Sequence, residues 1–160
     1  GRAVAMAADA GSEADVIGVI DLPALDERYV GWQGAGCRRN GVRVAASQQS
    51  DLRRSIVAHG DPICFEWAGQ MPVLDRMHHE IPLVRGYTDA FGHALVLSGA
   101  LDAMVDCDLN PWDADATELL VREAGGSCVI RQRPREQKTK LDLVFGSPAL
   151  VEQLAGFFTD

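Results

Sequence analysis

Beyond residue 50 the chain alternates short β-branched or apolar runs with helical patterns, and this alternation limits the fold more than any other feature. Strand-like runs at 55–59, 81–85 and 101–106 are separated by a helix within 65–79 and a helix over 89–98. A helix over 113–124 follows, then closing strands at 127–131 and 141–146 and a terminal helix over 148–158 with Pro148 in its first turn. The basic run 131–140 reads as a solvated hairpin loop between the closing strands. Alternation of this kind predicts a layered α/β domain with a largely parallel sheet.

The first 47 residues have another character. Runs at 2–8 and 16–22 predict paired strands around Gly11-Ser12-Glu13, and 27–33 with 42–46 predict a second hairpin turning at Asn40-Gly41. The short polar stretch 47–50 is the natural boundary. It divides an antiparallel remnant, 1–47, from an α/β domain, 48–160. The expected class is α/β, or α+β overall: the end of an antiparallel first sheet followed by a mixed, largely parallel layered domain.

Composition narrows the function classes. With 47% apolar residues there is ample core material, and no apolar run approaches the ~20 residues of a membrane helix. A net charge of −8 argues against a nucleic-acid surface. Cys37, Cys64, Cys107 and Cys128 stand singly, without zinc-site spacing, and fit buried thiols in a reducing, cytoplasmic setting.

The chemistry concentrates in residues 112–126, Trp-Asp-Ala-Asp-Ala-Thr-Glu-Leu-Leu-Val-Arg-Glu-Ala-Gly-Gly. Ala116, Leu119, Leu120 and Ala124 recur at helical spacing, Gly125-Gly126 stops the helix, and Asp113 is placed to cap its start. The stretch resembles the second signature of the inositol monophosphatase family. Two further blocks share that resemblance: Val19-Ile20-Asp21-Leu22-Pro23 with Glu27-Arg28-Tyr29-Val30-Gly31, and Gly86-Tyr87-Thr88-Asp89 running on to Ser98-Gly99-Ala100-Leu101-Asp102. Their wording leans toward the histidinol-phosphate phosphatase branch.

The resemblance implies a Mg²⁺-dependent phosphomonoesterase acting on a small phosphorylated metabolite, with no membrane or nucleic-acid partner, and a homo-oligomer, a dimer, in the complete enzyme. It makes Asp113 a metal ligand and places Gly86, Thr88, Asp89 and Asp106 against the substrate. Asp106 and Asp89 would meet a hydroxyl or a cationic amine; a solvated turn carboxylate and a helix cap are their plain alternatives. The family's Asp-Pro-Ile-Asp-Gly-Thr motif belongs before residue 2 by order. Asp61-Pro62-Ile63-Cys64 does not replace it and reads as a turn. The chain is therefore expected to be the C-terminal part of a phosphatase, inactive alone. Alternatives are an inositol or sugar phosphatase, or a catalytically silent binding or assembly domain. His78 and His79 read as surface residues and His93 as a core histidine.

Elementary chemistry points the same way. A phosphate monoester dianion repels hydroxide, so its hydrolysis benefits from a cation that neutralises oxygens and acidifies a bound water. Hard Mg²⁺ takes carboxylates and waters, and a helix start favours both an acid and a phosphate.

Overall fold

The computed structural model describes residues 2–7, 16–87 and 89–158, with residues 2–7 and Val16 as backbone only. Two five-stranded sheets are described. The first is antiparallel and follows chain order: β1 (Arg2–Ala7), β2 (Val16–Leu22), β3 (Glu27–Trp32), β4 (Arg38–Arg39) and β5 (Val42–Arg43). Asn40 and Gly41, both at positive φ, make the two-residue reversal between β4 and β5. Alternation sends Ile20, Leu22 and Tyr29 to one face, where they are buried. The expected turn at Gly11-Ser12-Glu13 lies outside the described residues.

The second sheet has the order β7-β6-β8-β10-β9. Strand β6 (Ile56–His59) is flanked in parallel by β7 (Leu83–Gly86) and β8 (Ala103–Leu109). The hairpin β9 (Ser127–Arg135) and β10 (Lys138–Gly146) completes it antiparallel to β8. The helices are α1 (Pro62–Ala68), α2 (Met71–Glu80), α3 (Asp89–Leu97), α4 (Pro111–Glu123) and α5 (Pro148–Ala155).

Side-chain parity along β8 and β10 sorts the helices into layers. Met104, Leu143 and Phe145 pack with α3, α4 and the inner face of the first sheet. Ala103, Val105 and Val144 pack on the other face with α1, α2 and α5. The result is sheet, helix pair, sheet, helix layer, with α4 between the sheets. Its Leu120 is fully buried against the glycines of β2 and β3: a Cβ at Gly18 or Gly31 would lie 3.0 Å from that side chain. Both strands use glycine where α4 comes closest.

Several expectations change in detail. The helix expected within 65–79 is two helices, because Gly69 takes the left-handed conformation and ends α1. Asp61 is no mere turn residue: its carboxylate accepts from the Ile63 N–H and caps α1. The basic run 131–140 is not a solvated loop. It belongs to β9 and β10, which reverse at Glu136 and Gln137, both at positive φ. The second sheet is parallel in only three strands, since the final hairpin closes it antiparallel.

Candidate functional site

Strands β6, β7 and β8 are parallel, so their C-terminal ends share one edge of the sheet. The site residues expected from sequence, with Thr88 outside the described residues, gather at that edge: Gly86 ends β7 and Asp89 follows it, Asp106 lies midway along β8 next to the residue paired with the end of β6, and Asp113 comes just beyond β8. The connection from β6 leads to β7 on one side, and that from β8 leads through α4 toward the hairpin on the other. Neighbouring strands whose connections diverge open a crevice at their carboxyl ends, the usual ligand position in α/β sheets.

Asp106 stands in that crevice, though not as a solvated turn acid. Strand β8 continues to Leu109, and Asp106 shares the parity of Met104, facing the α3–α4 layer. It is 3% exposed. One carboxylate oxygen accepts the Cys107 N–H at 3.0 Å, and the other is 3.2 Å from His93 Nε2. His93 Nδ1 lies 2.6 Å from Thr117 Oγ1 on α4, and the ring stacks edge-on against Phe145. Across the crevice Gly60 leaves the space that the carboxylate occupies: a Cβ there would sit 2.0 Å from Asp106 Oδ1. His93 is thus a core histidine that also touches a site acid.

Asp113 needs a correction. It is the third residue of α4, and Asn110 holds the N-cap position, because Pro111 starts the helix. The Asp113 carboxylate reaches back: its Oδ2 accepts from the Asn110 N–H at 3.2 Å and from Asn110 Nδ2 at 3.0 Å. The amide is oriented in turn by Lys140, whose Nζ donates to Asn110 Oδ1 at 2.8 Å. Among the described residues nothing hydrogen-bonds to Asp113 Oδ1. Oδ2 is anchored and Oδ1 is not, on a half-buried residue at a helix N-terminus.

Beside it lies a salt-bridge cluster that the sequence reading missed. Asp108, in the left-handed region at a β8 irregularity opposite Asp142, is 7% exposed. Arg133 donates to it at 2.5 Å, Arg135 also donates to it, and Arg133 Nε reaches Asp142 at 3.1 Å. Burial lowers the pKa of the Arg133 guanidinium, but the hydrogen bonds it donates to Asp108 and Asp142, with their charges, outweigh this and leave it raised. The signal was the alternation Arg131, Arg133, Arg135, which places cations on one face of a strand.

Asp89 begins α3 at φ 51° and is exposed. Gly86, also exposed, ends β7 over His59, whose ring a Cβ would approach to 3.1 Å. Electrostatics show the convergence of acids at this edge. Burial pushes the Cys64 thiol up to about 11, and Asp106, Asp61, Asp108 and Asp89 add to the effect. Yet among the described residues no group of three or more His, Cys, Asp or Glu could hold a metal ion. Asp113, with Oδ2 anchored and Oδ1 without a partner among the described residues, has the hard-oxygen chemistry that suits Mg²⁺ but is a single carboxylate. A groove of about 600 Å³ elsewhere, lined by Asp21, Arg28 and Trp32, lies on the first sheet's face opposite α4.

Layers, parallel-strand edge and acid-bearing helix start together define a layered α/β architecture with a ligand crevice at the carboxyl ends of its parallel strands. The model of the inositol monophosphatase family matches residues 3–148, and the chain belongs to that family. It is 37% identical over 113 residues to a histidinol-phosphatase of Chlorobaculum parvum, covering 70% of this chain and 43% of that protein. A fructose-1,6-bisphosphatase/inositol-1-monophosphatase of Thermotoga maritima is 32% identical over 111 residues, 69% of this chain and 42% of the relative. The crystal structure of the extragenic suppressor protein suhB from Bartonella henselae superposes with a TM-score of 0.76 at 26% identity, over 89% of this chain and 56% of that one. The chain thus spans less than half the length of the first two relatives. No helix among the described residues is long and apolar enough to cross a membrane.

Proposed function

We propose that this chain is the C-terminal, substrate-facing part of a Mg²⁺-dependent phosphate monoester hydrolase whose substrate is histidinol phosphate or a similar amine-bearing ester. The observation that carries this reading is Asp113, with Oδ2 tied down by Asn110 and Oδ1 open at the N-terminus of α4. Bound at such a carboxylate, Mg²⁺ supplies neutralisation of phosphate oxygens and a more acidic water. The chain's own residues do the rest. Asn110 and Lys140 hold the Asp113 carboxylate in one orientation. The positive end of the α4 dipole favours an anion on the same side. Asp106 gives the crevice a negative charge without an Arg or Lys partner among the described residues, which suits a cationic amine better than a polyol.

The test uses the complete gene product. Asp113→Asn should lower kcat on histidinol phosphate by two orders of magnitude or more, weaken Mn²⁺ binding measured calorimetrically, and shift Tm little. Asn still offers one oxygen to the Asn110 N–H, so the stability loss is about 0.5 kcal/mol. Wild-type turnover and metal affinity in that variant would remove Asp113 from the metal site. Faster hydrolysis of inositol 1-phosphate than of histidinol phosphate by the wild type would overturn the substrate. The isolated 160-residue chain, with one metal carboxylate, should not hydrolyse p-nitrophenyl phosphate; metal-dependent turnover would show a second ligand set.

A further inference from the structure

Asp106 is a buried carboxylate whose described partners are a neighbouring backbone N–H and an imidazole, with no Lys or Arg. A buried carboxylate so placed needs hydrogen bonds to satisfy its oxygens and to keep one orientation. His93 serves both ends. Its Nε2 faces the carboxylate, and an ionised carboxylate only accepts, so Nε2 carries the proton. In the neutral ring Nδ1 is then an acceptor, and the Thr117 hydroxyl, 2.6 Å away, donates to it. Thr117 is 0% exposed and His93 2%, so water does not compete for either bond. Phe145 fixes the ring from the side at a centroid distance of 4.9 Å. The chain of donors runs from α4 through α3 to β8, one way.

We propose that His93, seated by Thr117, is a positioning residue that aims the ionised Asp106 carboxylate at a cationic amine and so sets selectivity for amine-bearing phosphate esters. This rests on the reading that Asp106 meets the amine. His93 itself touches neither the ester nor the metal. Its Nε2–H takes one lone pair of Oδ2, the Cys107 N–H takes one of Oδ1, and the remaining pairs face an ammonium group. Without His93 the carboxylate can turn, and the amine loses its partner.

The experiment compares histidinol phosphate with p-nitrophenyl phosphate, which has no amine, in the complete gene product. His93→Phe should lower kcat/KM for histidinol phosphate about tenfold more than for p-nitrophenyl phosphate, chiefly through KM, the size expected for losing a hydrogen bond to a charged group. Thr117→Val should shift selectivity the same way by a smaller factor, and His93→Gln, whose amide can still donate to Asp106, should restore most of it. Equal losses on both substrates would overturn the proposal and leave His93 a packing residue. Asp106→Asn separates the two ideas: if it removes amine selectivity while His93→Phe does not, only this inference falls. If it spares selectivity, the role of Asp106 and this inference fall together. Should His93→Phe fail to fold, long-range ¹H–¹⁵N NMR of the wild type decides: a protonated Nε2 with a bare Nδ1 is expected, and the opposite tautomer would overturn the proposal.

Discussion

His59 shows how one side chain comes to report on the fold. It ends β6 at 7% exposure, its Nδ1 lies 2.6 Å from the Gly60 carbonyl, and its ring meets Phe65 and His78 edge-on. Burial pulls its pKa below the usual histidine value, and nearby His78 adds to this, against the Gly60 carbonyl, Asp106 and Asp61. The unfolded chain therefore binds more protons than the folded one below about pH 6.5. Stability is complete above that pH and declines as the pH falls through the folded value. Between pH 7.5 and 5.0 the wild type should lose more Tm than His59→Phe; parallel losses would show that His59 does not titrate between the states. Asp113 carries the second residue-scale lesson. Its position near a helix start was legible in Pro111-Trp112-Asp113, but not which residue caps it. A proline at the first helical position moves the cap to Asn110, and Asp113 then serves the cap from inside.

At the scale of elements, the final hairpin is the part that sequence pattern described least well. A run rich in Arg and Lys reads as a loop because charge in water costs nothing. In the structure it is two long strands, because Asp108 and Asp142 arrive from elsewhere to neutralise it. Asp108 side-chain exposure is 3%, and Arg133, Arg135 and Lys140 remain between 16% and 27% exposed. Removing the acid strands cations that are mostly out of water, so Asp108→Ala should cost about 3 kcal/mol. Chemical denaturation with unchanged slope would measure it. A loss under about 0.5 kcal/mol, the scale of a surface pair, would mean that water screens the cluster. Because Lys140 also bonds Asn110, loosening this hairpin reaches the cap of α4 and the orientation of Asp113.

For the whole molecule, α4 is the element on which both sheets depend. Its Leu120 packs against β2 and β3, and the same core includes Leu143 and Phe145 of β10. Its C-terminal Glu123 accepts from the N–H groups of Gly34 at 2.9 Å and Gly36 at 2.7 Å, tying the first sheet's glycine turn to the helix. A shared core of this kind predicts one cooperative transition in place of separate melting of the sheets. Leu120→Ala should lower stability by about 3 kcal/mol and leave fluorescence and far-UV circular dichroism transitions coincident. Two separated transitions would show that the sheets fold independently.

What the sequence determined by itself was local or periodic. Alternating strands and helices, the glycine stop at 125, the Asn40-Gly41 reversal and the acid at the α4 start follow from backbone preference and hydrophobic spacing, which near neighbours decide. The family blocks were legible for the same reason, since each is a short contiguous string. Tertiary structure alone decided which charges meet. Asp106 with His93, His93 with Thr117, Asp108 with Arg133 and Arg135, and Glu123 with the turn at Gly34 are pairings across 13 to 89 residues of sequence. Strand order and helix layering create them, and a carboxylate's burial depends on what the fold lays over it. Spacing along one chain carries no record of that.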